Sequence, residues 1–96
     1  MKIRILESAS QDLIEGFHFY EKQSNGLGGY FIDSLFSDID SLQIYAGGHP
    51  LYFGYHPTLS KRFPFAIYYK ISDNEAVVYA ILDCRKNPAW IKKRLQ

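Results

Sequence analysis

The sequence predicts a single α+β domain over residues 1–96. A helical hairpin packs on one face of a mostly antiparallel sheet, in the element order β-α-α-β-β-β-(α). Three observations carry this expectation. Apolar residues repeat at helical spacing through the first half of the chain and alternate at strand spacing in the second. Between the two regimes stands Gly47-Gly48-His49-Pro50, where two glycines permit positive φ and the proline forbids further helix.

Ile3 to Leu6, rich in β-branched residues and ending before Ser8, reads as a first strand. Ser8-Ala9-Ser10-Gln11 has the form of a capping box, and Asp12 then falls where the helix dipole favours an anion. Ala9, Leu13, Phe17 and Tyr20 recur along one helical face, Gly16 weakens the helix slightly, and Asn25-Gly26 stops it. Leu27, Phe31, Leu35, Ile39, Leu42 and Tyr45 form the stripe of a second, longer helix. The short Ser24-Asn25-Gly26 link makes the two an αα-hairpin.

Leu51 to Tyr55 is expected as a short aromatic strand and His56-Pro57-Thr58 as a turn. From Lys61 to Ile71 the chain alternates, with Phe63, Phe65, Ile67, Tyr69 and Ile71 on one face and Arg62, Pro64, Ala66, Tyr68 and Lys70 on the other. Pro64 implies a bulge or an unpaired position at the start of that ladder. Ser72-Asp73-Asn74-Glu75 is turn chemistry and Ala76 to Leu82 an apolar strand, so the two strands form a hairpin. Pro88 then opens a last short helix, Ala89 to Leu95. The sheet face opposite the helices, carrying Arg62, Tyr68 and Lys70, is expected to stay incompletely covered and open to a partner.

Sixteen aromatic residues, 17% of the chain, supply enough large side chains to build a core in so small a domain. The single cysteine, Cys84, excludes an intrachain disulfide and suits a reducing cytoplasm. No apolar run approaches the ~20 residues of a membrane span, so no membrane partner is expected. The net charge of +1 conceals a split: residues 1–60 carry three cations against seven anions, and residues 61–96 eight cations against three anions. The basic end is where an anionic partner would dock. Three dispersed histidines lack ligand spacing for a metal, and neither a metal nor a cofactor is expected. Cys84, at the end of the last strand, is expected to be a small buried residue.

The stretch Lys61-Arg62-Phe63-Pro64-Phe65-Ala66-Ile67-Tyr68-Tyr69-Lys70-Ile71, followed by Leu82-Asp83-Cys84-Arg85-Lys86-Asn87-Pro88, resembles the centre and C-terminus of RelE/ParE superfamily toxins of bacterial type II toxin–antitoxin modules. Ala9-Ser10-Gln11-Asp12-Leu13, Phe19-Tyr20-Glu21, Gly26-Leu27-Gly28 and Phe31 are similar to the family's first helix and inter-helix turn. The resemblance spans nearly the whole chain. It implies a small toxin neutralised by a cognate antitoxin that wraps around it. The target is either DNA gyrase, inhibited by ParE-like members, or mRNA on the ribosome, cleaved by RelE-like members.

Arg85 matches the arginine that RelE-type members carry after the last strand. Their inward strand arginine falls on Ala66, the Leu51–Tyr55 segment has no lysine, and the terminal helix offers Trp90 in place of a tyrosine. The ParE-like reading follows, with toxicity exerted by binding. The alternative is a ribosome-dependent mRNA endonuclease using Arg85 and Arg62 to hold phosphate and His56 as proton shuttle. A third reading is a chain that has lost toxicity and only binds antitoxin. Partner-binding residues are expected at Lys61, Arg62, Tyr68, Lys70, Arg85, Lys86, Trp90, Lys92, Lys93 and Arg94, with the terminal cations facing outward.

Overall fold

The computed structural model describes residues 1–96. It runs β1 (Lys2–Ile5), α1 (Glu7–Gln23), α2 (Leu27–Asp40), a single turn α3 (Leu42–Tyr45), β2 (His56–Leu59), β3 (Phe65–Ser72), β4 (Glu75–Asp83) and α4 (Pro88–Leu95). The four strands make one sheet in the order β1-β4-β3-β2, antiparallel except that β1 runs parallel to β4. The expected α+β order holds, except that the second helix, expected to run through Leu42 and Tyr45, breaks at Ser41 into α2 and the single turn α3. No helix is long and apolar enough to cross a membrane.

The alternation along β3 sorts its side chains onto two cores. Phe63, Phe65, Ile67 and Tyr69 pack with Leu13, Tyr20, Phe31, Leu35 and Ile39 under the helical hairpin. Tyr20, Phe31, Phe63 and Phe65 form its aromatic centre, with Tyr20 and Phe63 ring centroids 4.8 Å apart and Phe31 and Phe65 5.0 Å apart. Gly16 weakens α1 on propensity alone, but its position requires it: a Cβ there would lie 2.5 Å from the Phe31 ring. On the other face Ala66, Tyr68, Ala80 and Leu82 pack with Ile91 and Leu95 of α4.

That second core corrects the expectation of an open face. Tyr68 is 6% exposed because α4 lies over it. Leu51–Tyr55 is not a ladder strand. Tyr52 and Tyr55 bridge only to each other, and the edge strand begins at His56, opposite Tyr69. Pro57 is tolerated inside β2 because an edge strand can turn a position without an N–H toward solvent. Pro64 precedes β3 and does not bulge it; the register shift lies between Tyr68 and Tyr69, where Tyr79 is the extra residue on β4. Cys84 is exposed, since the chain leaves the sheet after Asp83.

The expected capping box does not form either. Leu6 is the N-cap of α1, and the Ser8 hydroxyl donates to the Tyr79 carbonyl at 2.8 Å. The reason is the length of β1. Its four residues pair with Glu75 to Val78 and leave the outer edge of β4 beyond Val78 without a strand. Side chains of α1 take over there: Ser8 accepts no helix amide but satisfies Tyr79, and Asp12 accepts the Ile81 N–H at 3.0 Å.

Candidate functional site

The basic C-terminal segment is built around α4. Asn87 caps it, its Oδ1 accepting from the Ala89 N–H at 2.8 Å, with Pro88 in the first turn. Eight residues are too few to hold a helix unaided, so the docking of Ile91 and Leu95 is what orders it. A second tie comes from Arg94, whose Nη2 donates to both oxygens of Asp12 at 2.9 Å. Burial pushes the Asp12 carboxyl above the usual carboxylate range, outweighing the pull of the Ile81 amide and the Arg94 guanidinium. Arg94 is exposed as a residue, but its guanidinium is not free for a partner as expected, because a buried carboxylate claims it.

Between α1 and α4 lies a cleft of about 250 Å³, lined among others by Glu15, Phe19, Lys86, Trp90 and Arg94. Trp90 is 40% exposed. The Lys86 ammonium lies 5.4 Å from its ring centre and the Arg94 guanidinium 5.6 Å. Lys86, Trp90 and Arg94 are thus brought together. Lys92 stands over the Phe53 ring at 5.2 Å, Lys70 over Tyr55 at 4.5 Å, and Lys93 is exposed.

Arg85 is committed to its neighbour. Its Nη2 donates to Asp83 Oδ2 at 2.7 Å, its Nε and backbone N–H to Oδ1 at 3.0 and 2.8 Å, and it reaches the Tyr20 hydroxyl at 3.5 Å. The guanidinium holds the Asp83 carboxyl below the ordinary carboxylate range, and the carboxylate raises Arg85 in turn. Lys61 and Arg62 are exposed in the bend before β3, where the Lys61 N–H and the Ser60 hydroxyl both meet the buried carboxylate of Asp38, at 3.3 and 2.7 Å.

His56 lies elsewhere. Its ring stacks on Tyr69 at 5.2 Å and 26°, on the helical side of the sheet, and its Nδ1 bonds the His49 carbonyl at 2.6 Å. His49 Nδ1 in turn meets the Tyr69 hydroxyl, which accepts the Gly47 N–H at 3.0 Å. Tyr69 sits opposite His56, four residues along β3 from the Phe65–Asp83 end that carries Arg85, a separation of about 13 Å. The structure does not bring His56 and Arg85 together.

Two features escaped the sequence. The Asp12–Arg94 pair spans 82 positions, and nothing local in either segment signals it. The two-residue hairpin between Tyr52 and Tyr55 did leave a signal: Gly54 after a single residue in an aromatic run, the spacing of a tight turn rather than of a strand.

No protein-family model matches the chain, and no curated protein matches it. Among solved structures, the chain is similar to one in the chromosomal ParDE TA system from P. aeruginosa. The identity is 18% and the TM-score 0.74, over 84% of this chain and 92% of that one. With a helical hairpin on one side of a four-stranded mixed sheet, the protein has a ParE-like α+β fold.

Proposed function

We propose that the chain is the toxin of a type II toxin–antitoxin module, held inactive in the cytoplasm by a cognate antitoxin and acting on DNA gyrase by binding. The fold likeness supports the toxin reading. The observation that carries binding over RNA cleavage is the dispersal of the residues cleavage would need. A 2′-hydroxyl attack needs a base within hydrogen-bond reach of the proton it removes and cations around the same phosphate. Here His56 is engaged with Tyr69 and His49 on the helical side, Arg85 is engaged with Asp83 about 13 Å away along the strand, and α4 fills the sheet face beside it. Ala66, where a phosphate-binding arginine would stand, is 2% exposed under α4.

Induced expression with an SOS reporter, a supercoiling assay on purified gyrase, and a translating extract test the reading together. Growth arrest, SOS induction and loss of supercoiling are expected, with mRNA left intact. Codon-positioned mRNA cleavage that disappears in Arg85→Ala would establish the endonuclease instead. Antitoxin binding without growth arrest would leave a chain that only pairs with its antitoxin.

A further inference from the structure

The turn before β2 holds a side chain that the backbone disfavours. The Tyr52 N–H donates to the Tyr55 carbonyl at 2.6 Å and the Tyr55 N–H to the Tyr52 carbonyl at 3.0 Å, so Phe53 and Gly54 are the central pair of a two-residue hairpin. Their φ angles are 51° and 82°. Positive φ at both positions is the mark of a type I′ turn, which favours Asn-Gly or Asp-Gly. Gly54 fits; a bulky aromatic at the first position does not. Burial gives little in return, for Phe53 is 47% exposed, with Leu51 at 67% and Tyr52 at 42% beside it. Two cations flank the turn, Lys92 over Phe53 and Lys70 over Tyr55, and neither belongs to any of the three ion pairs of the chain.

We propose that this hairpin is the anchor by which the protein holds its target: the Phe53 ring enters an apolar pocket on an acidic protein surface whose carboxylates pair with Lys92 and Lys70. The inference rests on the toxin reading above and names the surface that would meet the target. Strain kept at a ring that meets only Tyr52 and Lys92 and stays half in water is characteristic of residues that serve a contact outside the fold. A desolvated aromatic within a charged rim is the usual anatomy of an interface hot spot. Two cations and an aliphatic neighbour suit a protein pocket better than a nucleic-acid strand, which asks for a row of phosphate contacts.

Phe53→Asn tests this, because it creates the Asn-Gly pair that the turn prefers. Its Tm is expected to rise by about 4 °C, while growth inhibition at matched soluble protein falls at least about tenfold. Lys92→Glu is expected to weaken inhibition similarly without moving Tm. Phe36→Ala, which truncates an equally exposed ring on α2, is expected to inhibit as the parent does. A Phe53→Asn chain that arrests growth like the parent, or that melts lower, overturns the anchor and leaves the toxin reading standing. A parent chain that arrests nothing overturns that reading and the anchor with it. Binding of a single-stranded RNA or DNA oligonucleotide that is lost in Phe53→Asn overturns the protein occupant.

Discussion

The Asp12 carboxylate, on the helix that covers one face of the sheet, holds the Arg94 guanidinium of the helix that covers the other, with both oxygens at 2.9 Å. The pair closes the domain around the free edge of β4. Asp12→Asn retains an acceptor for the Ile81 N–H and is expected to cost about 1 kcal/mol or less, whereas Asp12→Ala orphans both donors and costs about 2–3 kcal/mol. Denaturant melts at pH 7 check the difference.

The pH dependence of Arg94→Ala follows from the raised Asp12 carboxyl. A folded-state pKa above the unfolded one means that folding favours the protonated acid, so burial of the charge is a cost at high pH and is relieved as pH falls through the folded value. Arg94→Ala leaves that charge unpaired. Its loss of stability, about 1.5–3 kcal/mol near neutrality, is expected to shrink on acidification, and melts from pH 7 down to pH 4 read it directly.

Asp83 behaves oppositely. Arg85 depresses its carboxyl, so its contribution to stability is present above the unfolded pKa and is lost as pH falls through the folded one. In Arg85→Ala the carboxyl is expected to titrate at a higher pH, so stability at neutral pH falls and the part of the acid limb that Asp83 supplies flattens. Carboxyl-detected NMR titration resolves the first and acid unfolding the second.

Two adjacent glycines of α2 predict opposite outcomes. A Cβ on Gly28 would stand 2.7 Å from the Phe17 carbonyl oxygen, so Gly28→Ala forces the two helices apart and costs about 1–3 kcal/mol. Gly29 has open space around it, and Gly29→Ala is expected to stabilise the protein by about 0.5–1 kcal/mol through the entropy of the unfolded chain. Thermal melts of the two variants should move in opposite directions.

Within α4, Ile91→Ala is expected to cost about 2–3 kcal/mol because its side chain fills the space over Tyr68, and Trp90→Ala only about 1 kcal/mol because the ring is partly in water. Reversing Lys92 and Lys93 to Glu leaves stability unchanged, whereas adding Arg94→Glu places a second carboxylate against Asp12 and unfolds α4. Helical circular dichroism separates these cases.

The helical hairpin was legible because each helix carries an uninterrupted apolar stripe, and the β3–β4 hairpin because Phe65 to Ile71 alternates toward a polar turn at Ser72 to Glu75. What the sequence misplaced depends on distant partners. Ser8 has the local chemistry of a cap, but the helix already begins at Glu7, and its hydroxyl donates to a carbonyl on an unpaired strand edge 71 residues away. Tyr68 reads as exposed by alternation alone, since only the docking of α4 covers it. At the candidate site the basic residues were visible as a cluster. Which of them are already paired was not, because Asp12 and Arg94 meet only once both faces of the sheet are covered.

The parallel β1–β4 pairing sets the order in which the chain can be completed during synthesis. Lys2 to Ile5 gain their partners only after Glu75 to Val78 have followed, and Asp12 waits until the final turn of α4 is out. Until then the nascent chain carries two amphipathic helices with no sheet to receive Phe31, Leu35 and Ile39. The β1–β4 pairing and the Asp12–Arg94 pair are thus among the last contacts of the domain that synthesis allows to form.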